Sequence, residues 1–430
     1  MTAKAKTAAI YTLGCRVNQY ESDAIANELT LLGWDIREPS EICSVYIVNT
    51  CTVTAESDRK SRQIIRRFKN LNPDAFVAVC GCYSQIKPEE TAKYADFVCG
   101  TRNKSAVIAA AEDFISGKDA VRIQVSDASS LPYEPLYAPH TDRTRAFVKI
   151  EDGCDGKCTY CLIRKARGNV VSRTEADILS ELEKLYGEGY PEAVLTGIET
   201  AAFGRGTDSD LLSLLLKTNG CKTPDRLRLG SIDPAWLKPE VSAKLAEVKK
   251  LMPHLHLSVQ SGSSPVLAAM KRKYNAETLY KNVEACRKNI PGVRFSADII
   301  VGFPGETEED FNKTKEFLKF ANLIHAHIFP FSPREGTIAA AMKEQIPADV
   351  KSRRAAVLAE FQKKINESDA RSRIGSTVNV LFETYDGEYA YGHSDGFSQI
   401  KAKSKSDPRG MVLKVKLTGF EDDRFSAEIV

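Results

Sequence analysis

The chain has 430 residues, 43% hydrophobic and 27% charged, with a formal net charge of +3. This composition is globular and the length allows two or three domains, while the near-neutral charge excludes a global polyanion-binding field and leaves any nucleic-acid contact to local basic patches. A chain this long buries a sizeable core without disulfide staples, so its 11 cysteines need another explanation. No run of 18 apolar residues occurs and the N-terminus passes into a strand-like segment without an apolar leader. The expectation is a cytoplasmic protein with no membrane association, whose cysteines are thiols, metal ligands or nucleophiles.

Up to residue 117, short β-rich runs alternate with amphipathic helices. AAIYTL, SVYIVN, AFVAV and FV are followed by helical patterns over 18–33, 55–73, 88–95 and 103–116. Such alternation predicts βαβ units and a parallel sheet. In open α/β sheets function gathers beyond the carboxyl ends of the strands. Cys15, Cys51 and Cys82 each follow one of the first three strands, which predicts that they converge. Residues 118–142 carry three prolines and no sustained period, the pattern of a linker. A second αβ alternation over 143–370 has strand candidates AFVKIE, EAVLTG, RLRLGS, HLHLSV, RFSADIIVGF and HAHIFPF. Six strands with intervening helices fit a parallel sheet, either open or curled into a partial (βα)6 barrel. A charged helix follows, and from 371 to 430 short alternating strands separated by Gly, Asp and Pro predict a small all-β barrel. The fold class is therefore α/β with a small C-terminal β-barrel.

The chemistry concentrates at EDGCDGKCTYCLIRKARG, where Cys154, Cys158 and Cys161 have C-x3-C-x2-C spacing. Three thiolates on one loop leave a zinc site short of a ligand. Held on a four-iron cluster, the same three leave one iron open to a cofactor. Gly153 and Gly156 let the loop turn tightly, and Asp152, Asp155 and Lys157 are expected to solvate it. Zinc and structural thiols remain the alternatives at this point. Cys43, Cys80, Cys99, Cys221 and Cys286 read as small buried apolar residues, and His254, His256, His325 and His327 as core or strand-face histidines.

Three basic groups are candidates for RNA. In the helix AESDRKSRQIIRRFK, positions 59, 62, 66 and 69 form one stripe, either a solvated face or a phosphate contact. Arg164, Lys165, Arg167 and Arg173 form a second group. In the tail, Lys401, Lys403 and Lys405 alternate beside Tyr389, Tyr391, His393 and Phe397, a mixture suited to backbone charge contacts and base stacking.

The motifs carry a family resemblance. CTYCLIRKARG, with Tyr160 before the last cysteine, resembles the radical S-adenosylmethionine (SAM) signature of the methylthiotransferases. GCRVNQYESD, VNTCTVT and CGCYSQ resemble that family's N-terminal domain, HLHLSVQSGS and DIIVGFPGETEEDF its central domain, and the tail its RNA-binding TRAM domain. The resemblance implies an auxiliary 4Fe-4S cluster on Cys15, Cys51 and Cys82, and a SAM-cleaving 4Fe-4S cluster on Cys154, Cys158 and Cys161. It places cofactor contacts at Tyr160, Gly197, Glu199, Gln260, Asp298 and Gly302, and RNA contacts at Arg62, Arg66, Arg167, Lys401 and Lys403. For Gly197, Glu199, Gln260 and Gly302 the competing reading is an ordinary strand-end turn.

The resemblance also implies two uses of SAM: one molecule methylates a sulfur of the auxiliary cluster, and another is cleaved reductively to a radical that abstracts the C2 hydrogen of an adenosine. An electron donor such as flavodoxin or ferredoxin is implied as partner. GC-x-VNQYES and HLH-x-x-QSG most resemble the members acting on threonylcarbamoyladenosine beside the tRNA anticodon, at position 37. Isopentenyladenosine tRNA and a ribosomal-protein side chain are the alternative substrates, and a zinc-stabilised, non-catalytic RNA-binding protein is the alternative of a different class. The sequence departs from the usual IPYARG at Arg164 and Lys165, and from Asn or His after TGI at Glu199.

Overall fold

The computed structural model describes residues 5–118, 122–138 and 144–430. The chain forms two compact units, one of Met1–Thr141, Lys149–Arg173 and Pro333–Thr337, the other of Asp142–Val148, Thr174–Ser332 and Ile338–Val430. The domain boundary expected at 142–143 lies outside the described residues.

The first unit is built on strands β1 (Thr7–Thr12), β2 (Asp35–Arg37), β3 (Val45–Thr50), β4 (Phe76–Gly81), β5 (Phe97–Cys99) and β6 (Ile123–Gln124), hydrogen-bonded in the order β2-β1-β3-β4-β5-β6. Every pair is parallel. β3 and β4 are buried at every position, because a parallel sheet carries helices on both faces. On one face Ile25 and Leu29 of α1 (Arg16–Leu31) pack with Val107 and Ala111 against Ile47 and Ala78. On the other, Ile65 and Phe68 of α2 (Ala55–Leu71) pack against Tyr46, Val48 and Val77. The Thr54 hydroxyl caps α2 by accepting from the Ser57 N–H at 3.1 Å. Short helices α3 (Cys82–Ile86) and α4 (Pro88–Ala92) follow β4, and α5 (Ser105–Ile115) follows β5.

The segment 122–138 supplies β6 and then Glu134, whose carboxylate accepts from the backbone N–H groups of Asn103, Lys104 and Ser105 at the start of α5. An anion at a helix N-terminus satisfies donors the helix cannot. The cysteine loop lies between β8 (Glu151–Asp152) and β9 (Val171–Ser172), an antiparallel pair, and runs into α6 (Ile163–Arg167).

In the second unit β7 (Arg145–Lys149, of which Lys149 falls in the first unit), β10 (Glu192–Thr196) and β11 (Arg226–Leu229) form one sheet, and β12 (Ser231–Ile232), β13 (His254–Gln260), β14 (Arg294–Val301) and β15 (His325–Pro330) another. β11 and β12 are interrupted only at Gly230, where a side chain would stand 2.9 Å from Thr200 Oγ1. Six strand positions thus follow each other in chain order, as the sequence predicts. Helices α7 (Glu175–Gly187), α8 (Leu211–Lys217), α9 (Pro239–Leu245), α10 (Ser264–Ala269), α11 (Ala276–Asn289) and α12 (Glu308–Ala321) connect or flank them, and α13 (Ala348–Arg373) leads out. Leu255, Leu257, Phe295, Ala297 and Ile299 point to the buried side. By strand alternation and register His256, Ser296, Asp298, His325 and His327 share the opposite face. The tail closes into a barrel of β16 (Thr377–Tyr385), β17 (Tyr389–Ser394), β18 (Gln399–Lys403), β19 (Val412–Glu421) and β20 (Arg424–Ile429).

Candidate functional site: two cysteine sets and a buried charge network

Parallel neighbours bring their carboxyl ends to one edge, and β1, β3 and β4 are consecutive in the sheet. Cys15 caps α1 after β1, Cys51 follows β3, and Cys82 opens α3 after β4. All three are free thiols. A side chain at Gly14 would stand 2.8 Å from Cys51 Sγ, so the glycine keeps space clear beside that sulfur. The Val53 N–H donates to Cys51 Sγ at 3.5 Å. Burial raises the Cys51 thiol pKa, and pushes that of Cys82 to about 12 against the pull of the Arg167 guanidinium.

In the second set, the Gly156 N–H donates to Cys154 Sγ at 3.2 Å and the Ile163 N–H to Cys161 Sγ at 3.4 Å. A side chain at Gly156 would stand 3.0 Å from Cys154 Sγ and 3.7 Å from Cys158 Sγ. The two thiols therefore face one small volume that only glycine leaves open. Three soft sulfur donors per set, with backbone N–H groups aimed at the sulfurs, are the donor chemistry that iron–sulfur clusters take. The residues fit such a group in both sets. A zinc ion asks for four ligands, and each set supplies three thiols, which suit a cluster that leaves one iron open.

Between the sets lies a network that sequence reading missed. Arg167 is wholly buried. Its Nε donates to Cys82 Sγ at 3.4 Å, Nη1 to Glu21 at 2.8 Å and Asp152 at 2.9 Å, and Nη2 to Asn18 at 2.5 Å and Glu21 at 3.1 Å. The guanidinium's five donors are thus all engaged. Lys149 Nζ reaches Glu21 and Asp152 at 2.7 Å each, and Lys104 Nζ reaches Glu21 at 3.1 Å. Burial pushes the Glu21 carboxyl up, but Arg167, Lys104 and Lys149 outweigh it and hold its pKa well below the usual value. Arg102 donates to the backbone oxygens of Ala128, Leu131, Asp152 and Asn169. The expectation that Arg167 meets RNA is therefore corrected, since a guanidinium with no exposed surface and no free donor offers nothing to a phosphate. Asp152, expected to solvate its loop, is equally buried. The available signal was Asn18 and Glu21, three apart on the helix that starts beside Cys15, polar residues on one face that demand a buried partner.

The other expected RNA residues are at the surface with protein partners. Arg62 lies 3.3 Å from Tyr83 Oη and 3.4 Å from Glu90, and Arg66 stacks over Tyr94 at 4.2 Å. Lys401 lies 4.0 Å over the Tyr389 ring and Lys403 pairs with Glu388 at 3.2 Å.

The expected cofactor residues divide. Tyr160 is half-buried between Cys158 and Cys161. In the second unit Gly197 and Glu199 lie in the turn that follows β10, and Glu199 lies 3.5 Å from Arg205. Gln260 ends β13 at φ +66°, just after a register shift, a strained position for a non-glycine residue. Asp298 Oδ2 lies 3.2 Å from His256 Nε2, and the Ser296 hydroxyl contacts His254 at 2.9 Å and His256 at 2.8 Å. Gly302 has φ +70°, its N–H donates to Glu306 at 2.7 Å, and a side chain there would stand 2.2 Å from Lys351. Its close approach in this structure is to Lys351.

Comparison with known proteins adds to this geometry. Residues 7–100 match the model of an uncharacterized protein family, UPF0004, and residues 148–318 that of the radical SAM superfamily. A threonylcarbamoyladenosine tRNA methylthiotransferase, MtaB, of Bacillus subtilis (strain 168) is 35% identical over 96% of this chain and 93% of its own. The chain belongs to the radical SAM methylthiotransferase family. An MtaB of Thermotoga maritima is 37% identical over 88% of this chain and 87% of its own. Among solved structures, the radical SAM methyltransferase TsrM of Kitasatospora setae, with cobalamin and a 4Fe-4S cluster bound, superposes with a TM-score of 0.59 at 16% identity. It covers 78% of this chain and 77% of its own, and shows the fold. This methylthiotransferase accordingly belongs among enzymes that use SAM and an iron–sulfur cluster. No helix among its described residues is long and apolar enough to cross a membrane.

Proposed function

We propose that this methylthiotransferase modifies tRNA at C2 of N6-threonylcarbamoyladenosine-37, with one 4Fe-4S cluster on Cys154, Cys158 and Cys161 and a second on Cys15, Cys51 and Cys82. What supports the reading is the placement of Cys15, Cys51 and Cys82 at the carboxyl ends of three neighbouring parallel strands and of Cys154, Cys158 and Cys161 on one loop, all free thiols, in a chain whose relatives are methylthiotransferases over nearly their whole length. The two thiol sets match two uses of SAM, one for the methylthio group and one for the radical. An adenine C2–H is neither acidic nor electrophilic enough for side-chain acid–base chemistry, so the cofactors supply the difficult step.

The chain positions and shields. Backbone N–H groups of Val53, Gly156 and Ile163 hold the sulfurs, and Arg102 and Thr101 tie the cysteine loop to the N-terminal part of the same unit. Thr101 Oγ1 donates to the Ala166 carbonyl at 2.7 Å. Tyr389, Tyr391 and Lys401 on the C-terminal barrel combine ring faces with a cation in the pattern that binds single-stranded nucleotides. A small electron donor supplies the reductant.

Two measurements test the reading. Anaerobically purified protein is expected to hold about eight irons with matching sulfide, falling to about four when Cys154, Cys158 and Cys161 are replaced by alanine. Zinc without sulfide overturns it. Nucleosides from a deletion strain should lack methylthiolated threonylcarbamoyladenosine, and loss of the isopentenyl product instead reassigns the substrate.

A further inference from the structure

Arg167 follows the second cysteine loop by six residues, yet its Nε donates 3.4 Å to a thiol of the first set, Cys82. Around it, Arg102, Lys104, Lys149 and Arg167 stand against Glu21, Glu151 and Asp152, every one of them no more than 5% exposed. The buried balance is one positive charge in excess. Burial weakens the screening of these charges by water, so the excess bears on whatever the neighbouring thiolates hold.

We infer that Arg167 sets the reduction potential of the iron–sulfur group on Cys15, Cys51 and Cys82, an inference that rests on the two-cluster reading above. A cluster gains a negative charge when reduced. A guanidinium donating to one of its sulfurs stabilises the reduced form more than the oxidised form and raises the potential, and hydrogen bonds to sulfur and local charge are the levers by which proteins tune such clusters. Glu21 is the counterweight: it shares Nη1 and Nη2 of Arg167 and also holds Lys104 and Lys149. It thus aims the guanidinium and offsets its charge. Arg167 is a positioning and tuning residue that touches no substrate, and the N-terminal set is poised by a residue of the second loop.

The test uses the full chain with Cys154, Cys158 and Cys161 replaced by alanine, so that any remaining iron belongs to the first set. Its potential is read anaerobically by redox titration with electron paramagnetic resonance. Arg167→Gln is expected to lower it enough to change the oxidised-to-reduced ratio at least tenfold at a fixed potential, about 59 mV for one electron. Arg167→Lys, which keeps the charge and loses the fork, shifts it less in the same direction. Glu21→Gln, which leaves Arg167 in place and removes the counterweight, shifts it upward. A residue that only holds the fold together does not produce opposite shifts from its two partners. If Arg167→Gln releases the iron, the Lys and Glu21 variants decide. Unchanged potentials in iron-loaded variants, or shifts of the same sign from the Arg167 and the Glu21 substitutions, overturn the role of Arg167 alone. A parent triple variant without iron overturns the two-cluster reading itself, and this inference with it.

Discussion

At the residue scale, buried carboxylates organise both units. Glu192, with no exposed surface, accepts from Nε of Arg226 and Arg228 at 2.9 Å each and forms an ion pair with Arg145, whose Nε lies 2.6 Å away. Burial raises its pKa, but Arg228, Arg145 and Arg226 together leave it lowered. A carboxyl whose folded value is depressed contributes stability that is present above its unfolded value, about 4.3, and is lost as pH falls through the folded one. Glu192→Gln leaves three guanidinium groups around a neutral amide, and breaking a buried ion pair costs about 3–5 kcal/mol. Urea unfolding should show that deficit unchanged from pH 7 to pH 5, then narrowing below pH ~4 as the wild-type carboxyl protonates. A deficit already closing near pH 6 contradicts the assignment. The same physics explains why Arg167 was not legible. In sequence it stands beside Arg164 and Lys165, which are exposed, and α6 is too short to show a buried face by its period. Nothing local distinguishes a surface cation from one drawn inward by Glu21, which lies 146 residues away.

At the element scale, the convergence of Cys15, Cys51 and Cys82 on one sheet edge was legible, because it follows from parallel βα alternation alone. The short pieces were not: β2 has three residues and β8 and β9 two each, lengths at which no period exists. Nor was the bulge that leaves Gln260 at positive φ. The tight end of β4 depends on one glycine. Gly81 has φ +104°, and a side chain there would stand 2.4 Å from the Thr50 carbonyl oxygen and 2.6 Å from its nitrogen. Neither backbone atom can yield without moving β3 or β4, and the φ alone costs roughly 1–3 kcal/mol for another residue. Gly81→Ala is therefore expected to displace Cys82 and to release the iron of the first set only. Iron and sulfide analysis should fall from about eight to about four per chain, while the iron that depends on Cys154, Cys158 and Cys161 is retained. The cap of α2 offers a milder control: Thr54→Ala removes the acceptor for Ser57 and should cost about 1 kcal/mol of stability without changing iron content.

At the scale of the whole molecule, chain order and packing diverge. Residues 149–173 and 333–337 belong to the first unit, where Arg334 reaches Asp58 at 2.5 Å and Thr52 at 2.9 Å. Composition changes along the chain cannot show such returns, since they are made by single polar contacts rather than by a shift in pattern. Within the second unit, one ring lies at the centre of the join between the C-terminal barrel and the parallel sheets. Phe397, at φ +67° between β17 and β18, stacks on His254 at 4.6 Å and on His393 at 4.5 Å, with Arg228 at 4.9 Å and Arg145 at 5.3 Å from its centroid. Beside it Arg226 pairs with Asp395, and Arg228 donates to the backbone oxygens of Ser394 and Asp395 at 2.9 Å each. Removing the ring forfeits apolar burial and two cation–ring contacts, about 2 kcal/mol in all, and leaves the polar contacts to hold the join. Phe397→Ala should therefore uncouple the barrel, adding a lower-temperature transition to the calorimetric trace while β16–β20 still close on their own core of Val380, Phe382, Ile400 and Val415. A single transition at the wild-type temperature would show that the backbone contacts of Arg228 suffice, and that the ring is not what joins these elements.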